Sequence, residues 1–162
     1  MHGYNQGALQ LQELCDTLQF DLIMLNEIWL VPVLMYKIHN FHNSYTYYGK
    51  SAMDNIVSSG LLKGRPYGGC AILVKKSLVN LVSNIITFER VVSVTLCDML
   101  YISVYLPCEN GSADAWNNLH EIIANICDII ENSDATFIIV GGDLNVNYNK
   151  DTPHARVLHD FF

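Results

Sequence analysis

Thr136-Phe137-Ile138-Ile139-Val140-Gly141-Gly142-Asp143-Leu144-Asn145-Val146 is the stretch that organises the rest of the chain. A β-branched and aromatic run ending in two glycines predicts a buried strand that stops abruptly. Ligand sites in α/β sheets gather beyond the carboxyl ends of strands. There the sequence places an acid, Asp143, and two residues later an amide, Asn145. In extended chain, residues i and i+2 point the same way, so this pair can converge on one hydrated cation or one phosphate. The glycines let the backbone turn and let a ligand approach closely. The same residues also read as a plain strand-terminating turn, because Asp and Asn form turn hydrogen bonds of their own.

Three other segments repeat the pattern of an apolar strand with a polar end. Leu22-Ile23-Met24-Leu25-Asn26-Glu27-Ile28-Trp29-Leu30 carries the carboxylate of Glu27 at its far end. Tyr101-Ile102-Ser103-Val104-Tyr105-Leu106-Pro107 ends in a tyrosine just before a proline that halts regular pairing. Arg65-Pro66-Tyr67-Gly68-Gly69-Cys70-Ala71-Ile72-Leu73-Val74 is a glycine turn feeding another apolar strand. In this order and spacing the four segments resemble the endonuclease/exonuclease/phosphatase superfamily with its DNase I-like fold. They are most similar to the endonuclease domain of non-LTR retrotransposons, where forms such as ETWL, GGVAI, VYxPP and GDFN recur. No single motif is specific; the ordered set is, and it spans nearly the whole chain.

The resemblance implies a DNase I-like α/β sandwich and Mg²⁺- or Mn²⁺-dependent hydrolysis of DNA phosphodiesters. Phosphoryl transfer needs charge relief on the phosphoryl oxygens and an activated water, which carboxylate-bound Mg²⁺ helps to supply. Mg²⁺ takes one or two carboxylates and completes its shell with waters and phosphate. By resemblance, Glu27 is the metal-binding glutamate and Tyr105 a phosphate-contacting tyrosine. Asp143 positions or activates the attacking water, and Asn145 contacts the phosphate or orients a neighbour. The implied partners are DNA and, in a full-length parent protein, a reverse transcriptase domain. Read without the resemblance, Glu27 is a solvated acid at a strand end and Tyr105 an aromatic packing on a sheet. Arg65 reads as a solvated loop charge and Trp29 as a packing residue. The six histidines form no ligand spacing, and His120 falls on the surface of a helical pattern.

Composition sets limits on these readings. At 162 residues the chain is one domain's worth. Its 51% hydrophobic content and mean hydropathy of +0.20 support a packed core. No apolar run approaches the roughly 18 residues needed to span a membrane. No basic-then-apolar leader is evident at the N-terminus, so the expected location is intracellular, nuclear or cytoplasmic. Five scattered cysteines, four of them within apolar patterns, read as buried free thiols of a reducing compartment rather than as a zinc site. Asn110-Gly111-Ser112 fits a glycosylation sequon but reads as a polar turn. The net charge of −7 argues against a free-standing nucleic-acid binder. It is compatible with a metal-dependent nuclease, whose ions supply local positive charge.

Along the chain, apolar spacing predicts an amphipathic helix over residues 7–19 and a strand over 20–26. Residues 31–66 are the least regular. Strand signals return at 69–74, 78–88, 91–96 and 100–105, four segments that read as one antiparallel meander. Ser112 or Asp114 caps a helix reaching about Glu131. A closing helix starts at Pro153.

The resemblance also has gaps. Family members open with a strand ending in a metal-holding asparagine and close with Ser-Asp-His, and neither is found here. The expectation is therefore residues 1–162 as one incomplete domain, lacking the first strand and the C-terminal half, and at most weakly nucleolytic. An apolar face lined by residues such as 138–140 and 102–104 should then be exposed, with a tendency to self-associate. A catalytically dead remnant or interaction module, and a phosphomonoesterase of the same superfamily, stand as alternatives.

Overall fold

The computed structural model describes residues 3–60 and 64–162, an α/β/β/α sandwich of two stacked sheets with helices on both outer faces. Its elements run α1 (Tyr4–Leu18), β1 (Leu22–Asn26), α2 (Tyr36–His39), β2 (Tyr45–Lys50), α3 (Asp54–Ser59), β3 (Cys70–Lys75), β4 (Val82–Thr87), β5 (Val91–Leu96), β6 (Met99–Tyr105), α4 (Ala113–Glu131), β7 (Phe137–Asp143) and α5 (Pro153–Phe161). One sheet has the order β1-β3-β2 and is antiparallel throughout. The other has the order β4-β5-β6-β7, with β7 parallel to β6. A parallel neighbour needs a crossover, and the 19-residue α4 supplies it.

Period-two alternation divides the side chains among three layers. In β3, Cys70, Ile72 and Val74 face Val92 and Val94 of β5 between the sheets. Ala71 and Leu73 turn outward onto Leu11 and Cys15 of α1. On the opposite side, Leu100, Ile102 and Val104 of β6 pack under Leu119, Ile122 and Ile126 of α4 and Leu158 of α5. A strand buried on both faces reads as a continuous apolar run, which is how β3 appears in the sequence.

Several expectations are corrected. Residues 69–74 are not part of the meander, because β3 lies between β1 and β2 in the other sheet; the meander is β4-β5-β6. Residues 31–66 contain the strand β2, whose Tyr45, Tyr47 and Tyr48 alternate across the sheet beside β3. Residues 78–88 divide into a 3₁₀ helix, Lys76–Leu81, and β4. The run after Thr136 is not a buried strand: β7 is an edge strand in which Phe137 is 57% exposed and Ile138 and Ile139 are each 42% exposed. Residues 102–104 are buried, since α4 and α5 cover Ile102 and Val104 while Ser103 faces β1. All five cysteines are free, yet Cys97 and Cys108 are exposed and Cys127 is half-buried, leaving Cys15 and Cys70 as the buried thiols. His2 lies outside the described residues. Among the described residues no helix is long and apolar enough to cross a membrane.

Candidate active site

Glu27, Tyr105, Asp143 and Asn145 each occupy or follow the C-terminal end of a strand, and the sandwich brings those ends to one rim. β1 ends at Asn26, and Glu27 then enters the left-handed region at φ 57. Asn145 does the same at φ 50, two residues beyond Asp143. Non-glycine residues rarely adopt this conformation, and such local strain concentrates at functional sites. Here it redirects two of the four candidate side chains away from simple strand alternation.

Parallel pairing sets Tyr105 directly beside Asp143 in the register of β6 and β7. The Leu106 N–H donates to the Asp143 carbonyl at 2.9 Å, extending the pairing one step past the strand. Across the sandwich, the Tyr105 hydroxyl donates to Glu27 Oε1 at 3.0 Å. Burial, then the hydrogen bond and negative charge of Glu27, pushes the Tyr105 phenol up to about 12. The Arg90 guanidinium, 5.1 Å from the ring centroid, opposes part of that rise. Asp143 Oδ1 accepts from the Asn145 N–H at 3.1 Å, an Asx-type turn that fixes the carboxylate. Asn145 Nδ2 donates to the Leu106 carbonyl at 2.8 Å, while its Oδ1 accepts from Cys108 Sγ at 3.3 Å.

The glycines act differently from the sequence expectation. They lie inside β7, which continues to Asp143, so they do not end the strand. A Cβ on Gly142 would meet Asn26 Nδ2 at 2.6 Å and collide with the Val104 carbonyl. One on Gly141 would touch Met24 Sδ at 3.4 Å. The bare backbone thus admits the side chains of β1 from the facing sheet. Gly68 plays a similar part, its Cα lying against the Tyr105 ring, which a Cβ would meet at 3.3 Å.

Sequence reasoning passed over Asn26 and Ser103. Asn26 Nδ2 donates to the Val104 carbonyl at 2.8 Å, and the Ser103 hydroxyl donates to Asn26 Oδ1 at 2.9 Å. The signal was a polar residue interrupting an apolar strand, Ser103 between Ile102 and Val104, whose side chain is fully buried. Arg65 and His120 are both exposed, Arg65 in a hollow it shares with Trp29. His154 is buried beneath Trp116, with Nδ1 3.5 Å from Glu109 Oε1.

As for a metal, no group of three His, Cys, Asp or Glu side chains among the described residues is placed to share an ion. The rim offers two carboxylates, Glu27 and Asp143. That donor set suits a hard cation that draws its remaining ligands from water and substrate, and does not suit zinc.

The sequence profile of the endonuclease/exonuclease/phosphatase family matches residues 2–159. No curated protein sequence matches the chain. Among solved structures, the 3′ phosphatase NExo from Neisseria, bound to product DNA hairpin, superposes with a TM-score of 0.68 at 12% identity, covering 98% of this chain and 66% of that one. The AP endonuclease LMAP from Leishmania major gives 0.67 at 14% identity, with 98% and 61% covered. An AP endonuclease from Archaeoglobus fulgidus gives 0.64 at 12% identity, with 98% and 65% covered. At these identities the likeness establishes a shared fold, and the chain spans 61–66% of the length of these three structures.

Proposed function

The chain belongs to the endonuclease/exonuclease/phosphatase family, and from that footing we propose that its rim hydrolyses phosphoesters, with the backbone of DNA as substrate. The observation that carries this reading is the joining of Glu27 to Tyr105 by a 3.0 Å hydrogen bond, with Asp143 next to Tyr105 in register. Three strands deliver an acid, a phenol and a second acid to one place. The proposal takes residues 1–162 as part of one such domain. The forms Glu27-Ile28-Trp29-Leu30 and Gly142-Asp143-Leu144-Asn145 support a retrotransposon type, in which a reverse transcriptase domain would accompany it and the cut would open target DNA.

Glu27 would hold Mg²⁺ or Mn²⁺, with Asp143 on the other sheet as the register partner of Tyr105. When bound, such an ion offsets charge on the phosphoryl oxygens and makes a water more acidic. Tyr105 keeps its proton up to about pH 12 and so serves as a donor to a phosphoryl oxygen. Asp143, fixed by the Asn145 N–H, takes a proton from the attacking water. Asn145, anchored to the Leu106 carbonyl, keeps the loop after β7 folded toward Tyr105.

The net charge of −7 favours a second reading, in which the same residues act on a small phosphomonoester rather than on a polyanion. The full chain, incubated with supercoiled plasmid or with a nucleoside monophosphate in Mg²⁺ or Mn²⁺, separates the two. Plasmid nicking abolished by chelation and reduced by about 10²-fold or more in Asp143→Asn and Glu27→Gln is the expected result. Phosphate release from the monoester without nicking would favour the second reading. Turnover of neither substrate would leave a fold without chemistry.

A further inference from the structure

We propose that Asn26 is a positioning residue: its amide, seated in the space left by Gly142, ties the two sheets together and holds Glu27 against Tyr105. The role has meaning for catalysis only through the phosphoester reading above, but the contacts stand independently of it. β1 and β6 belong to different sheets, so no strand pairing fixes the separation between Glu27 and the Tyr105–Asp143 pair. Asn26, the residue directly before Glu27, bridges that gap with both halves of its amide. Nδ2 donates to the Val104 carbonyl at 2.8 Å, and Oδ1 accepts from the Ser103 hydroxyl at 2.9 Å. Its two partners sit one and two residues before Tyr105 on β6, and Val104 is the register partner of Gly142 on β7. One side chain therefore touches both β1 and β6 and borders β7, within one or two residues of each rim group.

The chemistry suits a gauge better than a ligand. Nδ2 and Oδ1 are each committed to β6, by one N–H and one lone pair respectively, so the facing sheet sets how the amide lies. A half-buried amide bonded at both ends has one favoured placement, and any shift of one sheet over the other would break two hydrogen bonds. Gly142 completes the arrangement, since a methyl group there would fall 2.6 Å from Asn26 Nδ2.

The Tyr105–Glu27 hydrogen bond reports the geometry without any substrate. With ¹³C-labelled tyrosine in the full chain at neutral pH, the Tyr105 Cζ resonance, assigned by its loss in Tyr105→Phe, reads the acceptor that the phenol faces. Glu27→Gln should move that resonance, because a neutral amide replaces the carboxylate acceptor. Asn26→Leu is expected to move it in the same direction, with Glu27 still present but no longer held. Ser103→Ala, which removes one of the two bonds, should have a smaller effect. If Asn26→Leu does not fold, Asn26→Ala removes both bonds without adding a charge and carries the same expectation. An unchanged resonance in the folded Asn26 variant, or in Glu27→Gln, would overturn the proposal. Because the measurement needs no turnover, absence of hydrolysis would count against the phosphoester reading alone, and an unchanged resonance against the positioning role alone.

Discussion

Tyr105 and Cys70 are the residues at which the fold most opposes ionisation. Burial, then Glu27, raises the Tyr105 phenol from 10.0 to about 12. Burial raises the Cys70 thiol from 9.0 to about 12, with Arg90 partly opposing and Asp143 adding to the rise. Both groups are neutral in the native state, and their raised folded values mean that their contribution to stability is complete below about pH 9. It is lost progressively as the pH climbs toward 12, because the unfolded chain gives up these protons first. Urea midpoints measured from about pH 8 to pH 12 should fall across that window, with a shallower slope in Cys70→Ala and in Tyr105→Phe. Gly142→Ala tests the close approach of β1. A methyl group there meets the Val104 carbonyl and the Asn26 amide at a backbone φ of 142, and the cost should be about 3 kcal/mol, near the top of the range for overpacking. Denaturant titration would measure it, and a loss below about 1 kcal/mol would show that the sheets separate easily.

At the scale of elements, α4 is the member whose ends and face were both readable. Asn110 Oδ1 accepts from Ser112 N at 3.0 Å, and Ser112 Oγ then caps Ala115 N at 3.1 Å, so the sequon-like triplet is a turn feeding a helix. Ser112→Ala should lower stability by about 1 kcal/mol, seen as a shift in the urea midpoint without a change in slope. The 3.6-residue spacing of Leu119, Ile122 and Ile126 points all three into one core. The same kind of reading failed where tertiary context decides. β3 looked continuous with the meander because local pattern carries no information on which sheet a strand joins, and its true neighbours, β1 and β2, come earlier in the chain. β2 was hidden because tyrosines next to glycine, serine and asparagine give weak alternation until β3 lies alongside. Glu27, Tyr105 and Asp143 were legible because each closes an apolar strand. Asn26 was not, since its importance depends on the facing sheet.

For the whole molecule, the uneven cover of the sandwich matters most. α1 covers one sheet and α4 with α5 the other, yet Phe137, Ile138 and Ile139 remain exposed on β7, which among the described residues pairs with β6 alone. An uncharged, β-branched open edge is a template for pairing with another chain. Sedimentation of the purified chain should show concentration-dependent association, and Ile139→Lys should suppress it while leaving the melting transition cooperative. The position of β7 has a further consequence in time. It can join β6 only after the long excursion through α4 has closed, so Asp143 is expected to reach Tyr105 late in folding. In the finished protein the same strand should be the first to open: amides of β7 bonded to β6 should exchange with deuterium faster than those of β5, which is paired on both sides. The rim would then come apart and re-form many times during the life of one folded molecule, and warming should silence it well before the core melts.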